Sequence, residues 1–189
     1  MDAAKEGPRE AVQRIITRLE QESDDCDWDD VFRGVAEDLG GIQDDLAIET
    51  LLKLLKSSDW DDFDYVGIPI IEALGKIGDE RAVEPLCDFL NHNVTIVALG
   101  DIGSSKAVPA LISLAEGIPL TDLDDEIVIV ALAKIGDERA VPILKELLEN
   151  DTANVKETAV MALDAILGTE LDPFIDDYWG KREEPGGNW

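Results

Sequence analysis

The sequence predicts an all-α protein, a right-handed superhelix of about five helix pairs stacked side by side. Three observations carry that prediction. The heptapeptide IGDERAV stands at Ile77–Val83 and again, letter for letter, at Ile135–Val141, 58 positions on. Looser copies at Ile42–Ile48 (IQDDLAI) and Ile102–Val108 (IGSSKAV) set Ala47, Ala82, Ala107 and Ala140 at intervals of 35, 25 and 33 residues. A period near thirty residues marks a solenoid of helix pairs. Apolar residues after each copy recur at helical spacing, as in Ala82, Val83, Leu86, Leu90 and again in Ala140, Val141, Leu144, Leu147, Leu148.

The first pair is expected at about 8–40 and ends in LGGI (Leu39–Ile42). The second, at about 44–77, starts from Asp44 and ends in ALGKI; Gly67 and Pro69 lie inside its second helix, which either starts late, near Ile68, or is kinked. The third, at about 80–102, has only NVTIV (Asn93–Val97) before its ALGDI, so its second helix is expected to be barely two turns long and to bend the stack. The fourth, at about 104–135, ends in IVIVALAKI, and the fifth runs over about 138–168. These pairs form one repeat domain over 1–168. An aromatic tail over 171–189 leaves the pattern.

Each part of the heptapeptide has a mechanical role. Gly78, Gly103 and Gly136 follow a helix and can take the left-handed conformation that closes its last turn. The next polar residue (Asp79, Ser104, Asp137, and Asp44 in the loose copy) can accept from free N–H groups and start a new helix. Pro85, Pro109 and Pro142 come early in that helix, where a missing N–H costs least. IGDERAV is thus a corner that ends one helix and begins the next.

This pattern, ALGxIGDxxAVxxL about every thirty residues, resembles the HEAT-like repeats of the phycobilisome-lyase type over roughly 33–168, with the first and last pairs departing from it as capping repeats do. The resemblance implies the fold strongly and the function weakly, because such repeats occur in lyase subunits and in scaffolds alike. Some similar proteins are di-iron hydroxylases that hold metal through several His–Glu pairs. The single histidine here, His92, is followed by Asn93 and excludes that activity. The phycobilin lyase subunits are the one enzymatic relationship the resemblance leaves, and nothing in the sequence marks a bilin pocket.

Charge narrows the partners. The chain carries 43 acidic and 16 basic side chains, a net charge of −27. With no cluster of Lys or Arg, nucleic acid and anionic membrane surfaces are disfavoured. The acidity is spread along the whole chain, which reads as a general surface property, of the kind a salt-tolerant organism uses, rather than as steering of one basic partner. The longest apolar run, Ile127–Ala133, is too short to span a bilayer, and MDAAKEGPRE has no apolar stretch behind a basic region, so a cytoplasmic protein without a signal peptide is expected. Cys26 and Cys87 have no CxxC spacing and read as reduced thiols.

Candidate chemistry is thin. DWDD occurs at Asp27–Asp30 and Asp59–Asp62, and Asp25, Asp27, Asp29 hint at calcium, but the sixth and twelfth loop positions hold Asp30 and Ala36 instead of Gly and Glu. Helix capping is the better reading, also for TDLDDE (Thr121–Glu126), and Trp28 and Trp60 are expected to cover the ends of the core. No catalytic, cofactor-binding or metal-binding residue is assigned. Cys87 is expected to be packed, and Cys26 among aspartates makes a poor nucleophile.

In a helix-pair solenoid the second helices line the concave, binding face. The positions there that helix packing does not need are Arg33, Gly34, Glu37, Ile68, Pro69, Glu72, Val94, Val97, Ile127, Val130, Thr158 and Met161. Of these, Ile68, Pro69, Glu72, Val94, Val97, Ile127, Val130 and Met161 are the candidate partner-binding strip. IVIVALA is apolar all round, so its outward side is covered, either by tight packing in a curved stack or by a partner. The tail offers one cover, since Phe174, Tyr178 and Trp179 can cap the stack or fold into the groove. The role expected is a non-enzymatic scaffold gripping a protein or peptide. The alternatives are a phycobilin-lyase-like subunit or chaperone handling a tetrapyrrole and its acceptor protein, or a subunit of a larger complex whose strip is buried by a sister chain, a homo-oligomer where the sister is a second copy.

Overall fold

A computed structural model of the chain describes residues 7–21, 28–42, 44–57, 63–117, 126–149 and 152–168. The DWDD strings (Trp28, Asp29 and Asp30 by their side chains), Cys26, Trp60, Thr121–Asp125 and the aromatic tail lie outside what is described. Among the described residues all regular structure is helical: α1 (Pro8–Gln21), α2 (Trp28–Gly40), α3 (Asp45–Ser57), α4 (Phe63–Ile77), α5 (Val83–Cys87), α6 (Asn93–Ile102), α7 (Val108–Gly117), α8 (Glu126–Ile135), α9 (Val141–Leu147) and α10 (Ala153–Leu167). Single 3-10 turns, Glu80–Ala82 and Glu138–Ala140, lead into α5 and α9.

Consecutive helices pair, α1 with α2, α3 with α4, and so on, giving an all-α superhelix. The second helices (α2, α4, α6, α8, α10) also pack in series against one another, far more closely than the first helices do. The cause is small residues. A Cβ placed on Gly40 would lie 3.0 Å from the Cα of Ala73, one on Gly75 2.9 Å from the Cβ of Ala98, and one on Gly100 3.0 Å from the Cα of Ala131. The DLG of α2 and each later ALG thus meet the ALG or ALA of the next pair almost backbone to backbone. The row with the shorter spacing must be the inner one, so the second helices line the concave side. Behind this ladder Leu39, Leu74, Leu99, Leu132 and Leu163 are fully buried, one per second helix, each stabilising by roughly 1.5–3 kcal/mol on transfer from water.

The corners are built as the sequence predicts. Gly103 has φ 68°, and its N–H donates to the Leu99 carbonyl at 3.2 Å; Gly78 and Gly136 repeat this at φ 74° and 71°. Asp44, Asp79 and Asp137 accept through Oδ1 from the N–H two residues on, at 2.8–2.9 Å, and Ser104 Oγ accepts from Lys106 N at 3.4 Å. The arginine of the heptapeptide adds a second fastening. Arg81 Nε and Nη2 grip both carboxylate oxygens of Asp79, and Nη2 also reaches back to Asp45 at 2.7 Å. Arg139 grips Asp137 in the same way and donates to the Ser105 carbonyl at 2.6 Å. Between them, Ser104 Oγ donates to Glu80 at 2.8 Å and Lys106 Nζ pairs with it at 3.2 Å. Exposed contacts of this kind, screened by solvent, are worth little each. Their effect is to hold successive corners in register along one edge.

Two expectations are corrected. The second helix of the third pair is not barely two turns: α6 has ten residues, the same as α8. Length is lost from both helices of the pair: α6 is shorter than α2, α4 and α10, which have 13, 15 and 15 residues, and α5 has five residues, after which the chain descends through hydrogen-bonded turns, Phe89 N to Leu86 O and His92 N to Phe89 O. The late-starting alternative at Pro69 also falls, since α4 begins at Phe63 and runs through the proline. The ring removes the N–H that would reach the Tyr65 carbonyl.

Candidate functional site

The concave face carries two adjoining depressions. The larger, of about 460 Å³, lies across α2, α4 and α6 and is walled by Glu37, Pro69, Glu72, Lys76, Val94, Val97 and Asp101 over a floor of small residues. The smaller, of about 240 Å³, lies between α6 and α8 and is lined by Val97, Glu126, Ile127, Val130, Ala131 and Lys134. Val97 belongs to both. The ladder explains the shape: with glycine and alanine at the helix contacts, the floor has no side chains tall enough to fill it.

Of the residues expected on the strip, Pro69, Glu72, Val94, Val97, Ile127 and Val130 line these two depressions. Ile68 is half-buried beside Pro69 and lines neither, and Met161, 65% exposed on α10, lies beyond both. Val97 and Val130 are 41% and 43% exposed. Ile127 is half-buried and Val128 and Ile129 are buried, so packing covers most of the helix that is apolar all round and leaves Val130 uncovered. Thr158 is taken up within the protein, donating to Glu126 Oε2 at 2.9 Å. The other oxygen of Glu126 is buried without a hydrogen-bond partner among the described residues.

Sequence reasoning missed one row of the groove. Lys76, Asp101 and Lys134 stand one turn after Glu72, Val97 and Val130 and form its far wall. Lys134 Nζ meets Asp101 Oδ1 at 2.6 Å, bridging α8 to α6. The signal was present as i, i+4 spacing from residues already singled out.

The remaining reactive groups are quiet. Cys87 is half-buried, and burial first, then Asp88 and Glu84, pushes its thiol above the ordinary value, which disfavours the thiolate. His92 precedes α6, with its Nε2 2.9 Å from Asn91 Nδ2. Among the described residues no group of three or more His, Cys, Asp or Glu side chains is placed to hold a metal ion, and no helix is long and apolar enough to cross a membrane.

The family model for HEAT repeats matches residues 12–98 and 93–164, most of the chain. The chain belongs to the HEAT-repeat family. Comparison with proteins of curated function yields no match. Among solved structures, this HEAT-repeat chain is similar to one in the complex of CpcE and CpcF of phycocyanin lyase from Nostoc sp. PCC7120. The identity is 22% and the TM-score 0.63, over 94% of this chain and 70% of that one. At this identity the likeness speaks to the fold, the one expected from the recurring ALGxIGD pattern.

Proposed function

We propose that this HEAT-repeat protein is a non-enzymatic binding module that holds a protein or peptide segment in its concave groove, centred on Val97 and Val130. The observation that carries the reading is the exposure of those two valines at the point where both depressions meet. Exposed apolar side chains in a preformed concavity gain free energy when covered, about 25 cal/mol per Å² of apolar surface removed from water. Among the described residues the groove has no nucleophile or matched acid–base pair beside it, which favours holding over reaction chemistry. A protein partner also accords with the HEAT-repeat chain of the lyase, whose structure is a complex of two subunits.

The test compares capture of partner proteins by the wild type and by a Val97→Glu, Val130→Glu variant. Both positions are more than two-fifths exposed, so the new carboxylates stay in water and circular dichroism should show an intact fold. Proteins retained by the wild type and lost by the variant are the expected result. The same proteins on both would remove the groove from the reading.

A second reading, handling of a tetrapyrrole and its acceptor protein, is supported by the likeness to the phycocyanin lyase subunits. Against it, Glu37, Glu72, Asp101 and Glu126 outnumber Lys76 and Lys134 around the groove, an unfavourable surround for a ligand bearing propionates. A red-shifted or sharpened bilin absorbance on mixing, abolished by the same double variant, would favour this second reading.

A further inference from the structure

Each second helix presents one residue at the same register, two positions before its buried leucine: Glu37, Glu72, Val97, Val130 and Met161. All five are exposed. Among the described residues, the large apolar side chains left exposed are Val97, Val130 and Met161, and all three fall in this one row. The row therefore changes character along the stack, acidic on α2 and α4 and apolar on α6, α8 and α10.

Resting on the groove reading above, we propose that this row is a polarised docking strip. Its occupant is a segment of another protein that is cationic at one end and apolar at the other, laid along the stack with its basic end over Glu37 and Glu72. Charge complementarity selects the basic end. Among the described residues Lys76 is the one cation lining that part of the groove, against Glu37 and Glu72, and Asp101 is already tied to Lys134 at 2.6 Å. The apolar end is selected by three side chains between 41% and 65% exposed, with Lys134 turned to Asp101 rather than to the strip. Neighbouring helices in such a stack are about 8–10 Å apart. A partner helix rising 1.5 Å per residue therefore meets successive members of the row about every five to seven residues.

The probe is a pair of labelled helical peptides of identical composition, with five contact residues at heptad spacing. One carries Lys, Lys, Leu, Leu, Leu in that order and the other alternates them. Anisotropy titrations at low and high salt are expected to show the segregated peptide binding at least tenfold tighter at low salt. Glu37→Lys with Glu72→Lys should erase that preference. Equal binding of both peptides, lost in the Val97→Glu, Val130→Glu variant, would overturn the polarity and leave the groove reading standing. Binding of neither peptide overturns the polarised strip, and the groove is then judged by the capture experiment alone. Self-association without peptide, abolished by the valine variant, would give the strip to a second copy of the chain and overturn the proposal.

Discussion

A methyl group on Gly75 would sit 2.9 Å from the Cβ of Ala98 and 3.0 Å from its Cα, and neither atom can rotate away. Gly34 lies in the same kind of helix with nothing within 4 Å of the equivalent position. The two glycines separate propensity from packing. Alanine is favoured over glycine in a helix interior by about 1 kcal/mol, and forcing an extra carbon into a closed contact costs about 1–3 kcal/mol. Gly34→Ala should therefore raise the urea midpoint, whereas Gly75→Ala should fail to raise it and should lower it by an amount equivalent to up to about 2 kcal/mol, with unchanged helicity. A rise at both positions would mean that the second helices are not held as closely as the ladder requires. Thr95 gives a third test. Its side chain is fully buried and its Oγ1 has no hydrogen-bond partner among the described residues, so the hydroxyl costs desolvation without return. Thr95→Val should stabilise the protein by about 1–2 kcal/mol in the same measurement, and a loss would reveal a bond that the hydroxyl makes.

At the scale of elements the corner governs. Asp137 accepts from the side chain of Arg139 and then from its backbone N–H, and these bonds lower its pKa from 3.8 to about 2. The folded value lies below the ordinary one, so this carboxylate stabilises the fold fully above about pH 4 and ceases to do so as pH falls toward 2. The other carboxylates of so acidic a chain relieve their mutual repulsion in the same range, so the effect is to be read as a difference. Wild type and Asp137→Asn should differ most above pH 4 and converge by pH 2 in denaturant midpoint. A constant gap would mean that the Asp137–Arg139 fork contributes nothing that titrates. The corner was legible in the sequence because its causes are local: a glycine past a helix end, an acceptor one residue later, a proline just inside the next helix. The shortened third pair was read only in part, because length alone does not say how a deletion is shared: α6 is shorter than α2, α4 and α10, and turns hydrogen-bonded from Leu86 to His92 also replace the end of the first helix. In the groove, the rows through Pro69, Val94, Ile127 and through Glu72, Val97, Val130 could be read from repeat register. Lys76, Asp101 and Lys134 were passed over because charged residues one turn further on look like ordinary solvated positions until the ladder brings Lys134 onto Asp101 across two helices.

On the scale of the whole molecule, the ladder needs a reason to stop. The residue facing the following pair is Gly40, Gly75, Gly100 and, by register, Ala133, but on α10 the same register holds Asp164. The residue facing the preceding pair is Ala73, Ala98, Ala131 and, by register, Ala162, but on α2 it is Asp38, which is exposed. Both ends of the row thus carry a carboxylate where backbone-to-backbone packing demands a hydrogen or a methyl. A further helix pair stacked on α10 as α10 stacks on α8 would bury the rest of the half-buried Asp164 carboxylate, one oxygen of which is already out of water, at a cost of several kcal/mol. The same device is expected to keep copies of the chain from joining head to tail, because the surfaces that would meet are copies of surfaces that attract within the stack. Replacing Asp38 and Asp164 together by alanine should remove the block. Sedimentation in about 0.5 M salt, which shortens the Debye length to about 4 Å and suppresses the repulsion between chains of net charge −27, should then show concentration-dependent species larger than those of the wild type. Each single variant keeps one blocking carboxylate at every potential joint and should sediment like the wild type. If the double variant also does so, the ends are closed by something other than these two aspartates, and the ladder alone does not set the length of the stack.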